Sequence, residues 1–188
     1  AATPAGPVQA RFAWELDEAG SRLRGQGVVR AIPGERARVD LFGPRGETYL
    51  SAALVDGEYR FAGGAEPQVQ LPPPAFLWAA FGVFDPPAQP VEAAVADRRL
   101  TLRYQEEGGE TLEFTADGWD EAPRLVRARR GGPRGVRESV DVTWSEDGAH
   151  PRTARYRDWG EYRTLNITLE EWNMVDGFDP AIWLGGGW

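Results

Sequence analysis

Apolar and polar residues alternate with a period of two along most of the chain. Phe12, Trp14 and Leu16 alternate with Ala13, Glu15 and Asp17, the pattern of a strand with one buried face. Glu18, Ala19, Gly20 and Ser21 make a polar break, and residues 22–32 follow with Leu23, Gly25, Gly27 and Val29 on one side. Ala37, Val39 and Leu41 then alternate with Arg36, Arg38 and Asp40. Thr48–Val55, an Asp56-Gly57 turn and residues 59–62 complete the first half. Asp-Gly between alternating runs is a strong hairpin signal, because both residues tolerate positive φ, and it recurs at Asp117-Gly118 and Asp147-Gly148. The second half offers strands at Arg99–Gln105 and at 110–116, 124–130, 136–145, 152–159 and 162–169. The count is about ten or eleven strands, mostly linked by short turns, as in a large antiparallel sheet that curls toward a barrel. The rhythm carries no solenoid repeat.

One segment breaks this rhythm. Leu71-Pro72-Pro73-Pro74 precedes an apolar run from Ala75 to Phe84, which ends at Asp85-Pro86-Pro87. Proline favours helix starts, and the run holds neither Gly nor Pro before Gly82, so a helix of about two to three turns is predicted. Phe76, Leu77, Trp78, Phe81 and Phe84 point in too many directions for one ordinary core face. Such a helix either fills the open mouth of the sheet or lies on an apolar, membrane-like surface.

Composition then narrows the function. With 41% apolar residues in 188 the chain can bury a real core. Its charge of −8 argues against nucleic acid as a partner, since phosphate contact needs surplus basic charge. Cysteine is absent, which removes disulfides, thiolate nucleophiles and cysteine-held metal sites. Lysine is absent too, so all 21 basic residues are Arg, a product either of a GC-rich coding genome or of selection for the guanidinium group. His150, the one imidazole, sits in a turn before Pro151, so neither a Ser–His–Asp nor a Cys–His arrangement is supported. Gly25-Gln26-Gly27 lies within a strand, out of context for a dinucleotide fingerprint. Carboxylates gather at Glu106, Glu107 and Glu110 and at Asp117, Asp120 and Glu121, in turns where solvation explains them and a calcium site is the alternative. No enzyme, no cofactor and no resident metal are expected.

The ends differ from the middle. Residues 1–8 are small and Pro-containing, as in a tether that follows a removed signal peptide, so export is expected. A lipid anchor would need an acylated Cys ahead of Ala1. Residues 9–170 form the sheet domain, and 171–188 a Trp-rich tail with Trp172, Met174, Phe178, Ile182, Trp183, Leu184 and Trp188. That tail either packs back on the sheet or anchors in a partner, with Trp172, Phe178, Trp183 and Trp188 as docking residues.

Three stretches resemble the bacterial lipoprotein-carrier family (LolA/LolB-like), nearer its outer-membrane-receptor branch. Residues 38–48 resemble a strand that ends in a Pro-x-Gly turn, here Pro44-Arg45-Gly46, and returns. Residues 77–82 are similar to the family's helix with a central Trp and a trailing Gly, and residues 116–125 to its late hairpin. The resemblance implies an incomplete, half-open antiparallel β-barrel with a short helical lid, whose apolar cavity accepts acyl chains. Trp14, Phe76, Leu77, Trp78, Phe81 and Phe84 would line the cavity and lid. It also implies a periplasmic protein, associated with the outer membrane or another membrane surface, whose ligand is an acyl chain or a lipoprotein. Receptor-like members carry a protruding Leu between that Pro and Gly; here the loop tip is Arg45, which inserts poorly into hydrocarbon.

Two further classes stand beside an acyl-chain carrier. One is an accessory subunit docked through Trp-rich surfaces on a larger envelope or membrane complex. The other is a hydrolase built from carboxylates on facing strands, which would leave no trace in local spacing.

Overall fold

Two meanders share one sheet. The computed structural model describes residues 6–62, 69–86, 89–118 and 120–183. The first meander comprises β1 (Val8–Glu18), β2 (Ser21–Ile32), β3 (Arg36–Phe42), β4 (Thr48–Val55) and β5 (Glu58–Phe61). The second runs through β6 (Glu92–Ala96), β7 (Arg99–Gln105), β8 (Thr111–Asp117), β9 (Arg124–Gly132), β10 (Gly135–Trp144), β11 (Pro151–Asp158) and β12 (Arg163–Met174). Antiparallel pairing of β1 with β12 joins them into a 12-stranded sheet whose edges are β5 and β6. These edges do not pair, so the sheet is a half-open barrel. The connection from β5 to β6 must therefore travel from one edge to the other, and it carries the helix α1 (Pro74–Ala80).

Alternation decides which face is the inner one. Phe12, Trp14 and Leu16 of β1 are buried and face Leu169, Ile167 and Leu165 of β12 across the ladder. On the other side Phe12 opposes Gly27, where any Cβ would strike the Phe12 ring. The ring occupies the space that the missing side chain leaves.

The expected strands are present, with one addition and one extension. β6 was not foreseen: its sequence Glu-Ala-Ala-Val-Ala is exposed throughout and shows no alternation. β12 runs on to Met174, into the region assigned to the tail. A bulge explains why that continuation is hidden. Arg11 pairs with Glu171 and Phe12 with Leu169, which leaves Glu170 as an extra residue. The bulge returns Trp172 and Met174 to positions opposite the inner-facing Ala10 and Val8. At the start of the chain, Val8 already belongs to β1 and is buried; residues 1–5 of the expected tether lie outside the described residues.

The turns follow their local chemistry. Asp56-Gly57 adopts positive φ at both positions (54° and 77°), a two-residue primed turn. The Asp117-Gly118 and Asp147-Gly148 signals mark longer connections, since β9 resumes only at Arg124 and β11 at Pro151.

Candidate functional site: the plugged inner face

The helix is shorter and more deeply enclosed than its pattern implied. It spans Pro74–Ala80, with prolines at its start, and ends through Gly82, whose φ is +71°. Gly82 N–H donates to Ala79 O (2.9 Å) and Val83 N–H to Trp78 O (3.0 Å), the reverse turn that a left-handed glycine permits. A Cβ on Gly82 would lie 2.8 Å from Pro151 and 2.9 Å from Trp144, so this glycine is also required by packing. Phe84 falls beyond the helix, half-buried, with its ring 5.1 Å edge-on from Phe114.

Phe76, Leu77, Trp78, Ala79, Ala80 and Phe81 are all buried, between 0 and 4% exposed. The sequence suggested that these side chains could not share one core; they do, because the sheet curls around the helix. Phe81 packs 5.6 Å from Phe12, and Phe76 packs 5.8 Å from Tyr156. Trp14 lies on the same inner face, 2% exposed, with its indole N–H donating to Gln26 O (3.0 Å) and its ring edge-on to Tyr49. The residues expected to line a cavity and its lid therefore meet on one inner face. The space between sheet and helix is filled by their own side chains.

A polar cluster sits at the end of the inner face nearest the helix start. Glu138 of β10 and Arg130 of β9 occupy positions whose neighbours along their strands, Val140 and Ala128, face inward. Glu138 accepts from Tyr156 Oη (2.6 Å) and from Arg130 (2.8 Å). Arg130 also donates through Nε and Nη2 to both oxygens of Glu106 (2.7 and 3.0 Å) and lies over the Phe76 ring at 5.1 Å. The group thus ties three strands to the helix. Of its members only Glu106 stood out in the sequence, as one of the turn carboxylates; the trace of Arg130 and Glu138 is a charged residue at an inward-facing step of each alternation.

Burial raises the Tyr59 and Tyr104 phenols above their ordinary pKa of 10.0, and the Tyr156 phenol as well, where the hydrogen bond to Glu138 adds to the effect. A group with a raised folded-state pKa stabilises fully below its unfolded value, and that stabilisation declines as pH rises past it. The denaturation midpoint is expected to be insensitive to these phenols below about pH 10 and to fall above it. Phenolate absorbance should appear together with unfolding. Titration of all five tyrosines near pH 10 with the fold intact would contradict this burial.

Two clefts flank the plug, and a groove opens on the outer face. Beside the polar cluster, a cleft of about 590 Å³ lies between Tyr59 and Phe61 of β5 and Glu138, Tyr156 and Arg163 opposite, under Leu71 and Pro73. At the other end, Trp78 and Asp85 border a smaller one of about 520 Å³ with Glu35 and Arg36, and burial raises the Asp85 carboxyl above its usual range. The largest, about 960 Å³, is a groove on the outer face lined by Arg24, Arg155, Arg157, Glu15 and Asp141. The two smaller clefts lead toward the helix.

The remaining expected residues fall elsewhere. Arg45 is exposed at the tip of the β3–β4 turn, where Gly46 N–H donates to Gly43 O (3.0 Å) and Glu47 accepts from the Arg45 N–H (2.8 Å). Trp172 is half-buried against the core and stacks 6.0 Å from His150, whose Nδ1 contacts Pro151 O. Trp183 is 5% exposed and packs back on the sheet with the half-buried Phe178 at 5.6 Å. Trp188 lies outside the described residues. Five of the six turn carboxylates have arginine partners: Glu106 pairs with Arg130, Glu110 with Arg137, Asp117 with Arg99, and both Asp120 and Glu121 with Arg98. Among the described residues no group of three or more His, Asp or Glu is gathered as a metal site.

No protein-family model matches the sequence, and no curated protein matches it. Solved structures do resemble it. A LolA superfamily protein from Nitrosomonas europaea superposes with a TM-score of 0.62 at 10% identity, over 96% of this chain and 90% of that one. A domain assigned to outer membrane lipoprotein sorting in Vibrio parahaemolyticus gives 0.49 at 9% identity, over 95% and 89%. The Pseudomonas aeruginosa MucA/MucB complex gives 0.35 at 14% identity, over 93% of this chain and 54% of that one. The fold is LolA/LolB-like: a curved, open antiparallel sheet wrapped on one short helix.

Proposed function

We propose that the protein is a non-catalytic, extracytoplasmic binding protein that shelters an acyl chain, free or on a lipoprotein, against the inner face of its half-barrel. The observation that carries this reading is the plug. A seven-residue helix without a charged side chain is buried on all sides within a sheet that its own edges leave open. It is continuous with the chain only through proline-bearing connections, 71–74 and 85–87. Helix and ligand are thus alternatives for the same apolar surface. A chain that enters beside Tyr59 and Phe61 replaces helix contacts with its own, and each methylene removed from water contributes about 0.8 kcal/mol. The likeness of fold to a LolA superfamily protein is in keeping with the same reading.

The exposed Arg45 suits the edge of an anionic membrane better than its hydrocarbon. On this reading the protein receives or holds its ligand at a membrane surface and does not insert the β3–β4 turn.

Titration with a fluorescent fatty acid tests the proposal. Saturable one-to-one binding is expected, accompanied by faster amide exchange at Phe76–Phe81 as the helix yields. Absence of saturable binding, with no lipid released from the native protein under mass spectrometry, would remove it.

A further inference from the structure

The outer face of β2–β4 departs from the rule for such faces. Side chains pointing away from the core should be solvated, yet Arg38 is 4% exposed, Asp40 8% and Ala53 1%. They are covered by the segment after β12. Val175 N–H donates to Pro7 O (3.0 Å), exposed Asp176 and Gly177 follow, and a 3₁₀ turn at Pro180–Trp183 lands on β3 and β4.

What lies beneath is a built polar row. Gln9 accepts from Arg30 (3.2 Å), Arg30 donates to Asp40 (3.0 Å), and Ser51 donates to Asp40 (2.6 Å). Arg38 donates through Nε to both Asp40 oxygens (3.1 Å) and through Nη2 to Ser51 (2.6 Å). These bonds orient the guanidinium from the sheet alone. Its remaining nitrogen, Nη1, donates to a main-chain oxygen of the segment, Ile182 O, at 2.9 Å. The next residue, Trp183, is buried, with Arg36 5.9 Å from its ring centroid.

The geometry points to a peptide-recognition site on the outer face of β2–β4, selective for a segment that offers a main-chain carbonyl followed by an aromatic ring, and filled in cis by the chain's own 178–183. The fork of Arg38 is preorganised by Asp40 and Ser51, so it keeps its aim when the segment leaves. Among the described residues the segment meets the sheet through the Arg38–Ile182 hydrogen bond and the Trp183 ring, beyond an exposed Asp-Gly, so it can exchange for the same segment of a second copy. This site is separate from the inner face, and it stands whether or not the barrel binds lipid.

A labelled synthetic peptide of residues 176–183, added to the full-length protein, tests the site. Trp183→Ala empties it and is expected to bind the peptide saturably, with displacement by unlabelled peptide, while the wild type binds at least about tenfold more weakly. A peptide lacking the indole should not bind either protein. Phe178→Ala, at a half-buried position, loosens the segment with less risk to folding and should bind with intermediate affinity. If neither variant, with native circular dichroism, binds the peptide at millimolar concentration, the proposal fails. It fails equally if the peptide without indole binds as well as the parent.

Discussion

Phe76→Ala is expected to lower stability by about 3–5 kcal/mol while raising affinity for an apolar ligand. The stability loss follows from the position of the ring. Phe76 is 0% exposed, packs tilted against Tyr156 at 5.8 Å, and carries the Arg130 guanidinium at 5.1 Å. Deleting it removes the transfer contribution and leaves a cavity that the helix, tethered by prolines on its N-terminal side, is poorly placed to refill. The gain in affinity follows from competition. If helix and acyl chain use the same surface, a ligand no longer has to displace the phenyl ring, and the new void admits part of its chain. Urea denaturation measures the first effect and titration with the fluorescent fatty acid the second. A loss of stability with unchanged or weaker affinity would place the ligand away from the plug. A stability change below about 1 kcal/mol would contradict the packing itself.

Much of this inner face was legible in advance, and the reason is physical. A half-buried sheet writes its inner face into every second residue, so Phe12, Trp14 and Leu16, or Ala37, Val39 and Leu41, identify themselves. The helix announced itself through its proline start and Gly82, and the β3–β4 tip through Pro44 and Gly46. What stayed hidden depends on pairing across the sheet. β6 is exposed on both faces, so nothing in its residues alternates, and its turn to β7 uses Asp97 and Arg98 at φ of 51° and 62° without a glycine. The end of β12 was concealed by the extra Glu170, which shifts the parity of Trp172 and Met174.

The Trp-rich tail shows the same limit from the other side. Its apolar residues were visible, but whether they meet the sheet or a partner depends on what the outer face of β3 presents. Arg38 and Asp40 look like ordinary solvated positions in an alternating strand. They become a cradle only because Ser51 and Arg30 arrive from neighbouring strands to complete their hydrogen bonds. Trp183 packs against its own chain, beside Phe178.

Arg130→Met should be among the most damaging single changes, at about 3–5 kcal/mol, because it strands a buried charge. Glu138 has a side chain only 5% exposed, and Arg130 is its close ionic partner at 2.8 Å. Arg137, which is largely solvated, stands 3.6 Å away and offers weaker support. Methionine retains most of the volume and the contact with Phe76, so the loss reports charge and not a void. Adding Glu138→Gln removes the stranded charge and keeps a polar group for the Tyr156 hydroxyl. The double variant is therefore expected to recover at least half of the loss. A double-mutant cycle in urea measures this directly. Additive losses would mean that Arg130 and Glu138 do not act as a pair.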